Sequence, residues 1–302
     1  MRIKNLVLLA LPVAFLASCN GGNNHNSTEE GKLKITTTFA PMYDFTKRIV
    51  GDKADVITLV GNNEPHGFTV TNAKDMAFAS ESDLVVAYGQ DMDPYAEKLN
   101  QNKYFVATEG VDFKTSSELG GTSGDTIDPH AWLAIDSAEI MMRNIAAKVI
   151  EIDASNKDYY TENLNDSLAE FDALKDKYAA ELSAVKGKTL VTSHEAFGYV
   201  AKEFGFHQYG IEDVGDNEAG SAQIAKAIDF IKENGIKYIC VEELDEESTA
   251  DTIIAELKKS DYEVQKVEIS AFEGVDVNEW AQEDNYISVM NENLSEFVEY
   301  LK

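Results

Sequence analysis

The chain is 302 residues long, which suits about two domains, and its 44% hydrophobic content is enough to fill real cores, excluding wholesale disorder. With 54 acidic against 26 basic side chains it carries a formal charge of -28. That balance argues against a nucleic-acid partner, because phosphate binding needs clustered Lys and Arg, and it concentrates cations near the surface instead.

The N-terminus reads "MRIKNLVLLALPVAFLASC": Arg2 and Lys4, an apolar run from Leu6 to Ala17, then small residues before a cysteine. The run is too short to span a bilayer comfortably, and the layout is that of a secretory signal over residues 1–18. "LASC" (16–19) matches the lipobox of bacterial lipoproteins, in which the cysteine is acylated, so Cys19 is the expected lipidation site. Acyl chains there would hold the protein at an extracytoplasmic membrane face. Cys240 is then left without a partner, so no disulfide framework is expected, and "YICVEEL" reads as a buried strand with a small apolar thiol. Residues 19–32 are polar and glycine-rich, a flexible tether in which His25 is solvated.

From residue 33 strands and helices alternate. "LKITTTF", "ADVITLV", "DLVVAYG" and "YFVAT" read as strands, with helices "PMYDFTKRIVG", "NAKDMAFASES" and "DPYAEKLNQ" between them. Residues 111–125 form a Ser/Gly-rich loop, followed by the helix "SAEIMMRNIAAKVIEI". Over 155–184, Tyr160, Leu164, Leu168, Phe171, Leu174 and Tyr178 recur at helical spacing without Gly or Pro, about eight turns of stiff rod. Alternation resumes from "TLVTS" to a final helix, "DNYISVMNENLSEFVEYLK". The expected fold is α/β: two lobes (33–154 and 185–302), each with a mostly parallel sheet flanked by helices, joined by one long rigid helix (155–184). No internal sequence repeat is evident.

Only five histidines occur, and three of them read as lying at strand-to-loop transitions: His66 in "VGNNEPHGF", His130 in "TIDPHAWLA" and His194 in "LVTSHEAFG". Two follow an acid-proline pair, which stiffens the chain just before the imidazole. Ligands in open α/β sheets bind beyond the carboxyl ends of strands, where His66 and His194 should fall. Imidazoles suit borderline transition metals, and a carboxylate would complete a tetrahedron around zinc. Glu273, just past the last strand, is the best candidate, with Asp276, Glu64 and Glu242 as weaker options. His207, at a strand start, reads as structural or surface. Tyr43, Phe68, Trp132, Phe197 and Tyr199 read as an apolar wall of the cleft.

The words around these histidines carry a resemblance. "APMYDFTKRIVGDKADVITLVGNNEPHGFTVTNAKDMAFASESDLVVAYGQDMDPYAEKL", "DPHAWL", "SHEAFGYVAKEFGF", "GIKYICVEELDEESTADTIIAEL" and "NYISVMNENL" together resemble the metal-binding lipoproteins of ABC importers, the cluster A-I solute-binding proteins. The likeness covers nearly the whole mature chain. It implies two lobes bridged by a rigid helix, with a metal bound in the cleft and delivered to a membrane permease. The ligands it implies are His66, His130 and His194, with a carboxylate aligning best at Glu273. A histidine in third place resembles the zinc receptors, whereas manganese receptors tend to carry an acid there. This chain departs from the pattern at Ala134, where an aspartate is usual, and in "GFTVT", which lacks an acid and a proline. It also has no histidine-rich loop before the second motif. The expectation is a Zn(II) receptor rather than an enzyme, with Mn(II) as the alternative cargo. A zinc hydrolase is the rival from another class, although no HExxH is present and a closed four-ligand sphere favours binding over catalysis. An adhesin or envelope-assembly lipoprotein, without tight metal binding, is the third.

Overall fold

The computed structural model describes residues 32–61, 72–215, 219–242 and 249–302. The signal sequence, Cys19, His25, Glu64, His66 and Phe68 lie outside them. Among the described residues no helix is long and apolar enough to cross a membrane.

Among the described residues, eight strands form two four-stranded sheets, parallel throughout. The first contains β1 (Leu33–Thr37), β2 (Ala54–Thr58), β3 (Leu84–Ala87) and β4 (Tyr104–Val106), in the order β2-β1-β3-β4. The second contains β5 (Thr189–Thr192), β6 (His207–Gly210), β7 (Tyr238–Glu242) and β8 (Gln265–Ile269), in the order β6-β5-β7-β8. The two sheets therefore share one topology although no sequence repeat announces it. Strands covered on both faces tolerate uninterrupted apolar runs, as in the wholly buried "LVVA" of β3.

The crossovers in the first half are α1 (Ala40–Val50), α2 (Ala73–Glu81) and the short α3 (Ala96–Leu99). Proline in the first turn of α1 suits a position whose N–H has no helical acceptor. The Ser/Gly-rich loop is not structureless. It contains a single-turn helix, α4 (Ser116–Leu119), started by a capping box in which Thr115 and Glu118 exchange side-chain and backbone bonds.

After a 3-10 turn (Ala131–Leu133) comes α5 (Ile135–Ile152). The expected rod follows as α6 (Lys157–Glu181), extended at both ends by 3-10 turns so that helical backbone runs from 154 to 185. The remaining helices are α7 (Gly198–Phe204), α8 (Ser221–Asn234), α9 (Thr249–Lys258) and α10 (Tyr286–Tyr300).

One continuous apolar core runs through both halves along α1, α5, α6 and α10, from Ile35 to Leu301. The outer face of the second sheet packs on α8 and α9 through Val191, Ile231, Val241 and Leu257, and smaller clusters line the outer face of the first. Cys240 sits in β7 as a buried thiol.

The chain between β8 and α10 crosses back to the first half. Trp280 Nε1 donates to Asp44 Oδ1 on α1 at 2.6 Å, and Val275 N–H donates to the Gly61 carbonyl at 3.1 Å. Arg48 joins the same seam, bonding Asp44 at 2.7 Å, Glu170 on α6 at 2.7 Å and Asn285 at 3.1 Å. This strap, residues 270–286, therefore follows the second sheet in sequence but is fastened to the first half.

Candidate metal centre

His130 does not follow a strand, contrary to the sequence expectation. It stands at the start of the 3-10 turn, with Pro129 fixing the chain ahead of it. Around that proline the backbone is pinned by two phenols: Tyr88 donates to the Pro129 carbonyl, and Tyr199 donates to the Asp128 carbonyl at 2.9 Å. Asp128 Oδ1 accepts the His130 backbone N–H at 2.8 Å and lies 2.8 Å from its Nδ1. The imidazole packs edge-on against Trp132, with centroids 5.1 Å apart.

His194 lies two residues past β5, at the carboxyl end of the second sheet as expected. Thr192 Oγ1 and Gln208 Nε2 both donate to its carbonyl, at 2.6 and 3.0 Å. Its Nδ1 is 2.9 Å from Oε1 of Glu242, the last residue of β7. β5 and β7 are the neighbours at which the strand order reverses, the place where open parallel sheets leave a crevice for ligands.

Glu273 stands in the strap. Two residues before it the Ala271 carbonyl accepts from Trp132 Nε1 at 2.8 Å, and two residues after it Val275 is tied to Gly61. Phe272 between them adopts φ 55°, a left-handed conformation that costs a bulky residue free energy and persists where surrounding contacts over-determine it.

These three side chains converge. One ligand atom from each of His130, His194 and Glu273 lies within 4.8 Å of the others, and all three residues are buried. His130 Nε2 is 3.4 Å from Glu273 Oε1, and the two imidazoles are 4.7 Å apart at 77°. In each imidazole Nδ1 faces a carboxylate, Asp128 or Glu242, which favours a proton on Nδ1 and leaves Nε2 as the donor atom. Burial pushes His130 toward lower pKa, but Asp128 and Glu273 outweigh it and hold the imidazole above its usual 6.5. Two imidazole nitrogens and a carboxylate oxygen make a donor set suited to zinc.

The fourth expected ligand, His66, lies outside the described residues, as does Glu64. Glu242, weighed as a ligand, instead orients His194. Asp276 is engaged in a local turn, accepting from Asn278. His207 is exposed at the start of β6. Of the expected apolar wall, Trp132 touches an imidazole, whereas Phe197 packs on Phe297 in the core and Tyr43 on Trp280. A cavity of about 950 Å³ opens between the halves, lined by Gln90, Asp91, Ser123, Pro129 and Asp213 among others but by none of the three clustered side chains.

Sequence reasoning missed two supporting carboxylates. Asp128 was legible as the acid two positions before His130. Glu195, fully buried beside His194, gave no signal in a chain so rich in acids.

Comparison with known proteins gives the family to which the chain belongs. Residues 35–300 match the family ZnuA, described as the zinc-uptake complex component A, periplasmic. The high-affinity zinc uptake system protein ZnuA of Bacillus subtilis is 32% identical over 310 residues, covering 96% of this chain and 95% of the relative. The zinc-binding lipoprotein AdcA of Streptococcus pneumoniae is 30% identical over 311 residues, covering 97% of this chain but only 60% of that longer protein. Among solved structures, the Zn(II)-bound ZnuA-like domain of Streptococcus pneumoniae AdcA superposes with a TM-score of 0.73 at 28% identity, covering 90% of this chain and 99% of the domain. Its two parallel sheets, its connecting rod and a match spanning nearly all of its described length place this chain in the ZnuA family of zinc-uptake components.

Proposed function

We propose that the chain is an extracytoplasmic receptor that captures Zn(II) between its lobes through His66, His130, His194 and Glu273 and passes it to an ABC permease for uptake. The observation that carries this reading is the convergence of two imidazoles and a carboxylate from separate elements on one buried point. Family membership supports a receptor rather than a hydrolase, and zinc rather than manganese as cargo. The partition into signal (1–18), tether (19–32), lobes (33–154 and 185–302) and linking helix (155–184) belongs to the same reading. So does acylation of Cys19, which would anchor the receptor to the membrane and is checked by the mass of the mature chain.

Equilibrium dialysis of residues 20–302 against zinc tests the site. His130→Ala and His194→Ala are each expected to weaken binding by at least about a hundredfold, since each removes a donor atom rather than its support. His66→Ala should do the same. Unchanged affinity in any of the three removes that residue from the site.

A further inference from the structure

Next to His194 stands a carboxylate with its own binding pocket. Glu195 is 1% exposed, and its oxygens receive the Ser116 hydroxyl at 2.9 Å, the Ser123 N–H at 3.2 Å, and both the Ser123 hydroxyl and the Thr122 N–H at close range. All four donors come from the Ser/Gly-rich loop and α4, which belong in sequence to the first half, whereas Glu195 follows β5 of the second. Glycines make the room. A Cβ at Gly210 on β6 would lie 2.7 Å from Glu195 Cβ and 2.9 Å from its Cα, and one at Gly121 would collide with its carboxylate.

The loop is stitched to the second half at further points. Val214 N–H donates to Ser123 Oγ at 3.2 Å, Lys202 Nζ to the Glu118 carbonyl at 3.0 Å, and Lys114 N–H to Tyr199 Oη at 2.8 Å. The same loop leads through Asp128 to His130. A charged acceptor shielded from water and filled by four donors is among the stronger non-covalent ties a protein makes. Here it joins the segment bearing one imidazole to the residue adjacent to the other.

We propose that Glu195 is a positioning residue for metal retention. Its carboxylate clasps the 116–123 loop across the lobe boundary, holds His194 in register with His130, and sets the rate at which the ion leaves. This rests on the zinc-receptor reading above. The residue does not touch the ion; it acts through the backbone of His194 and through the loop.

The test uses the mature chain loaded with zinc and mixed rapidly with excess chromogenic chelator. Glu195→Ala is expected to release zinc about tenfold faster or more, as loss of hydrogen bonds to a buried charge implies, with a smaller change in the association rate. Amide exchange supplies a readout that general destabilisation would not move selectively. In the unaltered chain the Thr122 and Ser123 amides should be slowed further by zinc, and in Glu195→Ala that zinc-dependent slowing should vanish. Ser116→Ala should speed release alone but add less than about twofold in the Glu195→Ala background, because the two share one interaction. If Glu195→Ala does not fold, Ser123→Ala, which removes one donor at the rim, is read in the same way. An unaltered chain that binds no zinc overturns the receptor reading. A chain that binds zinc while the folded variants release it at the original rate, with amide slowing retained, overturns this proposal alone.

Discussion

Replacing Asp128 by Asn changes one buried atom and has two consequences of opposite sign. Oδ1 takes both the backbone N–H and the Nδ1 of His130, each at 2.8 Å, in a site 1% exposed, so little solvent screens the carboxylate. An amide keeps the shape but loses the charge that raises the basicity of the ring. Loss of such a support weakens metal binding roughly 10- to 100-fold, or about 1.4–2.7 kcal/mol. Asp128 Oδ2 has no hydrogen-bond partner among the described residues, so an amide NH2 placed there would be a buried donor without an acceptor, costing about 1–3 kcal/mol of stability.

The pH response moves the other way. Asp128 is one of the groups holding His130 above 6.5, so its proton competes with zinc over a higher pH range than for an ordinary imidazole. Because the folded value is raised, protonated His130 stabilises the apo chain fully below the unfolded value near 6.5 and loses that contribution as pH rises through the folded one. Zinc takes the deprotonated ring, so its stabilisation takes over as the proton's is lost. In Asp128→Asn the imidazole becomes less basic, and the pH at which affinity falls to half of that variant's own alkaline plateau should shift downward. Competitive titration with a chelator at about pH 8, repeated at falling pH, reads both effects. Affinity within twofold of the original, together with an unshifted pH profile, would refute the role assigned to Asp128.

Trp132→Phe retains the ring against His130 but leaves the buried Ala271 carbonyl without its indole donor. Unfolding in urea should show a loss of about 1–3 kcal/mol, and zinc affinity should fall because Ala271 lies two residues from Glu273. Against manganese the imidazole-rich set should favour zinc by at least about a hundredfold in direct competition, since divalent affinity at nitrogen donors rises steeply across the first-row series. Comparable occupancy would point to an oxygen-rich sphere instead.

Much of the fold was legible because its signals are local. β-branched runs alternating with amphipathic stretches gave both sheets, and the unbroken spacing from Tyr160 to Tyr178 gave the rod. The histidines stood out by scarcity. Long-range stitching was not legible: nothing in "SAFEGVD" shows that the strap is held by Trp132 and Gly61, and nothing in "SHEAF" shows that Glu195 meets a loop more than seventy residues earlier. His130 was misplaced for the same reason, since its setting is built by Tyr88, Tyr199 and Asp128 rather than by a strand end. Acids were hardest to sort, because in a chain with 54 of them only geometry separates Asp128, Glu195 and Glu242 from solvated neighbours.

The returning strap bears on the order of biosynthesis. His130 and Trp132 are synthesised long before Ala271 and Glu273, yet the indole waits for the Ala271 carbonyl and the imidazole for the carboxylate. A growing or partly exported chain thus holds only an incomplete set of donors, and the full site appears once residues 271–286 have docked. If the receptor reading proposed above holds, zinc met before the strap docks would find no Glu273 carboxylate, so the full donor set would form only when synthesis of the chain is nearly complete.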